Sequence, residues 1–387
     1  MWIALDKKMP QRYPVIPAMS DYPRIILKPG REKPLLLGHP WLFSGAIDHI
    51  DGNVQDGSLV EVTTHHGKFI GVGHYGTKSI AVKILSRTPI KDLLAFWISS
   101  LENACRLRTR LGLLNNPHIS AFRLVHGEGD GLPGLVVDIY NRTAVMQCHS
   151  KGMFAWRETI AAALKTVLNE KLAAVFCRST EQVGLQTEEY LLGADANPII
   201  SEYDLRFICD WEQGQKTGFY IDQRENRRWF ERYAKDRKVL DAFCYSGAFA
   251  VYAARGGAAE ICSVDASKRA VEAARQNMEL NSFKTPHQGV AADCFDFLQK
   301  EAGRYDLIVL DPPAFVKHQK ALSKGLRGYE NINFHAIKHI LSGGILFTFS
   351  CSELVPREKF RGAVSHAAAR AGRRVRILHE LGQAPCH

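Results

Sequence analysis

The stretch KVLDAFCYSGAFAVYAA (Lys238–Ala254) is the one from which the fold is read. An apolar run ends on an acid, Asp241, and Gly247 stands where residues at helical spacing begin. A strand that enters a helix through a tight turn has this form: glycine lets the backbone come close, and the helix start offers unbonded amides. The rhythm repeats downstream. EICSVDA (Glu260–Ala266), QGVAAD (Gln288–Asp293), YDLIVLD (Tyr305–Asp311) and GILFTFS (Gly344–Ser350) alternate with helical stretches reaching Leu280, Lys300, Ile340 and Arg370, and RRVRIL (Arg373–Leu378) reads as a sixth strand. Such alternation predicts a parallel, doubly wound α/β sheet whose ligand crevice lies at the carboxyl ends of the strands.

Four successive strands end in aspartate, at Asp241, Asp265, Asp293 and Asp311. One such acid is easily a cap for the following helix; four suggest a ligand. Asp265, about 20 residues beyond Gly247, suits a ribose diol, as in nucleotide-binding sheets. Asp293 suits an adenine amino group. The glycine pattern is not GxGxxG and offers no phosphate cradle, so S-adenosylmethionine fits better than a dinucleotide.

Upstream, RIILK, SLVEV, KFIGVGHY and IAVKIL, separated by turn residues, predict a small β-barrel over residues 22–90. A helix with several arginines near its end follows. FRLVHGEGDGLPGLVVDIY (Phe122–Tyr140) reads as a hairpin, and with a helix near GMFAWRETIAAALKTVL and strands near AAVFCRS and YDLRFICD it makes a central α+β segment, 91–211. Residues 212–387 form the α/β domain.

Composition limits the function. With 46% hydrophobic and 23% charged residues, no run long enough to span a bilayer and no signal-like N-terminus, the chain reads as cytoplasmic, with no membrane partner. Nine cysteines without a CxxC suggest neither a disulfide framework nor a bound metal. A net charge of +10 points to a polyanion, and residues 1–119 alone carry 15 Lys and Arg against 9 Asp and Glu.

GHPWLFSGAI (Gly38–Ile47), the hairpin, TGFYIDQRENR (Thr217–Arg227), DAFCYSGAF, DPPAF (Asp311–Phe315) and FSCS (Phe349–Ser352) together resemble the RlmI-type ribosomal RNA large-subunit methyltransferases, over nearly the whole chain. The resemblance implies an N-terminal PUA domain, a central α+β domain and a Rossmann-like class I methyltransferase domain. It also implies S-adenosylmethionine as cofactor, 23S rRNA as partner, and methylation of cytosine at C5; a homodimer stays open. In that chemistry Cys351 is the nucleophile that adds to cytosine C6, and Asp311, held by two prolines, bonds the ring N3 and amino edge. The base must be unpaired or flipped.

Cofactor contacts are expected from Phe219, Tyr220, Asp222, Gln223 and Arg224 before the first strand. Asp241, Phe243, Tyr245, Ser246 and Gly247 follow at its end, with Asp265, Ala266, Asp293, Cys294, Asp311 and Pro312 at the next three. Cys244 reads as packing within the cofactor loop. RNA contacts are expected from Arg31 and Lys33 in the barrel and from Lys317 and Arg327 in a basic, glycine-hinged loop; Trp41 and Phe43 are expected in the barrel core. One departure stands out: relatives run on for one more strand after LGQAPCH, so the edge beside Cys351 is expected to lack its last partner and the fold to be less stable. Two other readings compete. Asp-Pro-Pro with a nearby aromatic also resembles enzymes that methylate a base nitrogen, chemistry that needs no thiol, and a truncated RNA-binding relative would have lost catalysis with the missing strand.

Overall fold

The computed structural model describes residues 22–179, 187–194, 197–214 and 216–387. The chain divides into two compact units, one made by residues up to Asn115 with the stretch from Arg123, the other by Asn116–Phe122 and Asn197–His387.

The first unit opens with β1 (Arg24–Leu27), α1 (Lys33–Leu36), β2 (Trp41–Phe43), β3 (Ile47–Asp51), β4 (Leu59–Thr63), β5 (Phe69–Tyr75) and β6 (Ile80–Ser86). They form one six-stranded sheet in the order β2-β6-β5-β4-β1-β3, around a core of Ile25, Leu27, Leu42, Val60, Val62, Ile70, Val82 and Ile84. On β2 the period of two decides what is buried: Leu42 faces the core, whereas Trp41 is partly exposed and Phe43 is 49% exposed. The expectation that Trp41 and Phe43 lie in the core is corrected by this alternation. Trp41 Nε1 donates to Glu128 Oε1 at 2.9 Å, tying β2 to the turn of the GEGDG stretch.

Helix α2 (Leu93–Arg110) starts where the Asp92 carboxylate accepts from the Ala95 amide at 3.0 Å. It is followed by β7 (Ala121–His126), β8 (Leu135–Tyr140), β9 (Thr143–Cys148), α3 (Lys151–Ala155), α4 (Arg157–Leu168), β10 (Ala174–Ser179) and β11 (Thr187–Leu192), with sheet order β11-β10-β9-β8-β7. The two strands of the expected hairpin, β7 and β8, are neighbours, and Arg123 grips Asp138 across them at 2.8 and 3.0 Å.

In the second unit β12 (Ile199–Glu202) and β13 (Leu205–Ile208) form a tight hairpin whose turn residues, Tyr203 and Asp204, both have positive φ. The sequence reading puts this stretch in the central segment, but side-chain amides of the α/β domain hold it: Asn281 Oδ1 accepts from the Arg206 amide at 2.9 Å, and Asn277 Oδ1 from that of Ile208 at 2.8 Å. Then come α5 (Arg224–Glu231), β14 (Lys238–Ala242), α6 (Ala248–Arg255), β15 (Glu260–Asp265), α7 (Lys268–Leu280), β16 (His287–Ala291), α8 (Cys294–Glu301), β17 (Leu307–Leu310), α9 (Leu322–His339), β18 (Ile345–Thr348) and α10 (Arg357–Arg370). All five strands β14–β18 are parallel, in the order β16-β15-β14-β17-β18. The order reverses at β14, so the crevice outside β14 and β17 is where a ligand belongs.

Two expectations change here. RRVRIL forms no strand: the Arg373 guanidinium bonds the carbonyls of Ile337 and Ile340 at the end of α9, and Val375, Ile377 and Leu378 stay more than half exposed. The segment after Asp311 is not a glycine-hinged loop throughout, because Gly325 and Gly328 lie inside α9. A Cβ at Gly325 would come within 2.3 Å of Val316, and one at Gly328 within 3.1 Å of the Phe315 ring. These glycines let the DPPAF segment lie directly on the helix.

Candidate functional site

Asp241, next to last in β14, is fully buried, and its Oδ2 accepts from the Ala250 amide at 3.2 Å. Burial, with Asp311 and Asp265 nearby, pushes its carboxyl up to about 7. The loop that follows is wound through left-handed residues: Phe243 at φ +62°, Tyr245 at +47° and Gly247 at +68°. Non-glycine residues there cost about 1–3 kcal/mol each unless the surroundings fix them. The surroundings do so. Val264 O accepts from the Cys244 amide at 3.1 Å, Asp265 Oδ2 from the Tyr245 amide at 3.1 Å, and Ser246 O from Asn277 Nδ2 at 2.8 Å.

Asp265 therefore orders the loop with one oxygen while the other accepts from the Ser267 amide at 2.9 Å; Ala266 beside it is exposed. Each oxygen keeps a second lone pair for a ligand. Asp293 is the cap of α8, its Oδ1 accepting from the amides of Phe295 at 2.8 Å and Asp296 at 3.1 Å. Cys294 is buried with its thiol on the Val264 carbonyl, and burial pushes its pKa up to about 12. Cys244 is likewise buried.

Asp311 follows β17, and burial with the nearby Asp222 carboxylate pushes it up to about 6, against a pull downward from Lys216. Pro312 is buried, and its carbonyl accepts from the Cys351 thiol at 3.4 Å. Of the nine cysteines Cys351 alone is exposed. Burial of its sulfur within the site and the charge of Asp311 push its thiol up, against a pull downward from Lys216.

Lys216 is the residue that sequence reasoning missed. Its backbone sits at φ +50°, and its Nζ lies 2.9 Å from Asp222 Oδ2 and 4.2 Å from the centre of the Tyr220 ring. Burial raises the Asp222 carboxyl and Lys216 overrides it, holding the group below its usual range; the other oxygen, Oδ1, is buried with no partner among the described residues. Tyr220 meets Tyr245 edge-on at 5.1 Å. The only hint in the sequence is a lysine just ahead of TGFY.

Asp241, Asp265, Asp311, Asp222, Gln223, Tyr220, Tyr245 and Cys351 thus lie around the strand ends. Two expected contacts do not. Arg224 is fully buried, spent on the Ala121 carbonyl at 3.2 Å, Glu225 at 3.2 Å and Cys386 Sγ at 3.7 Å. Phe219 is buried against Phe207 and under Arg227. Lys317 and Arg327 are exposed beyond the site, and Arg31 and Lys33 are exposed on the first unit.

The donor set suits a cationic cofactor. Carboxylates outnumber the cations that face them, and burial with neighbouring acids drives Asp241 and Asp311 up against the weaker pull of Arg227 and, at Asp311, of Lys216. A ligand with a sulfonium and an α-ammonium relieves that crowding, and Asp265 offers acceptors to a diol.

Residues 25–87 match the family of PUA-like domains, and residues 186–355 that of S-adenosylmethionine-dependent methyltransferases. The chain is 36% identical over 377 residues to the ribosomal RNA large subunit methyltransferase I of Escherichia coli O139:H28, and 38% identical over 376 residues to that of Pseudoalteromonas atlantica. Each alignment covers 94% of both proteins. Its fold is similar to that of a protein described as a SAM-dependent methyltransferase from Streptococcus mutans, with a TM-score of 0.75 at 23% identity over 90% of each chain. A methyltransferase structure complexed with SAH gives 0.76, at 23% identity over 89% of this chain and 90% of that one. The chain belongs to the ribosomal RNA large subunit methyltransferase I family, with S-adenosylmethionine as its cofactor.

Proposed function

We propose that this protein methylates cytosine at C5 in the 23S RNA of the large ribosomal subunit, working in the cytoplasm. The observation that carries the reading is Cys351, the one exposed thiol of nine, set after β18 with its Sγ on the Pro312 carbonyl beside Asp311.

Cytosine C5 is too weak a nucleophile to take a methyl group unaided. The Cys351 thiolate adds to C6, and the ring electrons displaced onto C5 make that carbon enamine-like. Burial and Asp311 hold the thiol up, and Lys216 is the charge that pulls it toward the thiolate. Asp311, titrating about 6, is suited to share a proton with ring N3 and so draw electrons away from C6. S-adenosylmethionine, when bound, supplies an electrophilic methyl group. Asp241 and Asp265 would hold it beside the left-handed loop, and Asp222 and Gln223 would close the other side. Loss of the C5 proton to a base and departure of the Cys351 thiolate then restore the aromatic ring.

The test is mass spectrometry of 23S rRNA incubated with the protein and labelled S-adenosylmethionine, with Cys351→Ala alongside. Label in 5-methylcytosine that disappears in the variant is the expected result; label on a base nitrogen, unchanged in the variant, would overturn it. The nitrogen-methylating reading gains nothing from Phe315, whose ring packs on Tyr329 at 4.6 Å and Phe295 at 6.0 Å. Cofactor binding by calorimetry separates an enzyme from a purely RNA-binding relative.

A further inference from the structure

From His379 onward the chain folds back over α5 and reaches the site. The His379 ring lies 4.3 Å from that of Trp229 on α5, and its Nε2 is 2.8 Å from the Tyr233 hydroxyl just beyond that helix. Glu380 pairs with Arg361 at 3.3 Å. Further on, Ala384 and Cys386 are buried, whereas Pro385 between them is exposed. Two residues are thus pressed inward where the rest of the segment lies on the surface.

What they reach is the stretch 220–224. Ile221–Gln223 forms a 3-10 turn whose own backbone bonds are long, 3.2 Å from the Ile221 amide to the Phe219 carbonyl and 3.3 Å from that of Gln223 to Tyr220, and α5 starts without a side-chain cap. The Ala384 amide adds a shorter bond, 2.9 Å to the Asp222 carbonyl. Beside it Arg224 donates to Cys386 Sγ at 3.7 Å, and the same sulfur lies 3.4 Å from His387 Nδ1. Burial opposes the Arg224 charge, and Cys386, Glu202 and Glu225 more than offset it. Asp222 in turn seats Lys216, 2.9 Å away, over the Tyr220 ring, and Lys216 is the cation that pulls the Cys351 thiol down. Burial raises the Asp222 carboxyl; Lys216, then His387 and Arg227, bring it below its usual range. A line of contacts therefore runs from Ala384 and Cys386 through Asp222 and Lys216 to the sulfur.

We propose that residues 384–387 are a positioning element of the methyl-transfer site, holding Asp222 and Arg224 in place and so fixing Lys216 beside Cys351. The role of the thiol rests on the reading of Cys351 as the nucleophile. A shift of about 1 Å in such a support is enough to slow a reaction whose groups it aligns.

Two measurements on the full chain test it: the rate of Cys351 alkylation by iodoacetamide at about pH 8, which follows the thiolate, and steady-state labelling of 23S rRNA. Cys386→Val takes the sulfur acceptor from Arg224 and should slow alkylation about threefold and lower kcat about tenfold, with KM for the RNA unchanged. Cys386→Ser, which keeps an acceptor of similar size, should recover most of both. His379→Ala, at an exposed position, loosens the segment without touching its buried contacts, and both rates should fall about twofold. Alkylation and kcat equal to the wild type in Cys386→Val, or in His379→Ala where the first variant does not fold, would overturn the proposal. So would a raised KM for the RNA with kcat intact, since these residues would then bind substrate. If Cys351→Ala methylates as fast as the wild type, the nucleophile reading fails by itself, and the alkylation rates still decide whether residues 384–387 set the site.

Discussion

The hydroxyl of Ser352 lies 2.8 Å from that of Tyr329 on α9, and the same oxygen accepts from the Val316 amide at 3.2 Å. Both side chains are buried. One small residue therefore ties the loop that carries Cys351 to the segment that follows Asp311. Ser352→Ala leaves a phenol and an amide without a partner, which costs about 1–3 kcal/mol of stability. Methyl transfer should slow about tenfold with cofactor affinity unchanged. Single-turnover labelling and calorimetry on the same preparation check both halves.

Arg227 and Glu202 form a bidentate pair, 2.8 Å on each arm, with neither side chain exposed, and Tyr252 Oη lies 3.0 Å from Glu202 Oε1. The guanidinium also donates to the Tyr220 carbonyl at 3.0 Å, so it supports the strand-end site from beneath. Glu202→Leu strands a buried cation and should cost about 3–5 kcal/mol. The double variant Glu202→Leu, Arg227→Met should be more stable than Glu202→Leu alone. Urea unfolding of wild type, single and double variants measures this, and a double variant weaker than the single would refute it.

Asp241 gives the α/β unit a dependence on pH. Its folded carboxyl titrates about 7 against 3.8 when exposed, so the folded state keeps a proton that the unfolded chain releases in that window. Its contribution to stability is complete below about 3.8 and is lost as pH rises through about 7. The slope is up to about 1.4 kcal/mol per pH unit. Asp241→Asn, which can still accept from Ala250, should stabilise the protein at pH 8 and change little at pH 4. Equal midpoints for variant and wild type at both pH values would show that the carboxyl is solvated.

Two glycines of similar backbone separate strain from packing. Gly247 at φ +68° would put a Cβ 2.5 Å from that of Ala274, whereas Gly343 at φ +74° has nothing within 4 Å. Gly247→Ala should push α6 and α7 apart, costing about 1–3 kcal/mol beyond the backbone strain, and should weaken S-adenosylmethionine binding. Gly343→Ala should carry only the strain, about 1 kcal/mol, with binding intact. Thermal unfolding and calorimetry of the two variants side by side give the comparison.

The parallel sheet was legible because strand and helix periods alternate from Lys238 onward, and the acids at the strand ends followed from where a strand must stop. What escaped depends on long-range contacts. Arg224 reads as a ligand contact because charge reads as surface; its partners Ala121 and Cys386 are far along the chain in both directions. Lys216 belongs to the site only because a left-handed residue folds it back over Tyr220. Asp293 shows the limit of counting acids, since a cap and a ligand contact look alike in sequence. Phe43 was misplaced by weighing its hydrophobicity above the alternation set by Leu42.

The parallel order β16-β15-β14-β17-β18 also governs when the enzyme comes into being. Every neighbour pair in it is joined through a crossover, so no hairpin brings two walls of the site together early, and pairings of this kind form slowly. Asp311 and Cys351 follow β17 and β18, the last two strands in chain order among the described residues. A nascent chain that has closed β14 on β15 already holds Asp241 and Asp265, but has neither of the two residues proposed to act on the base. On the proposed reading, methylating activity thus reports that β17 and β18 have joined the sheet, and a chain that lacks them is expected to leave the RNA unmodified.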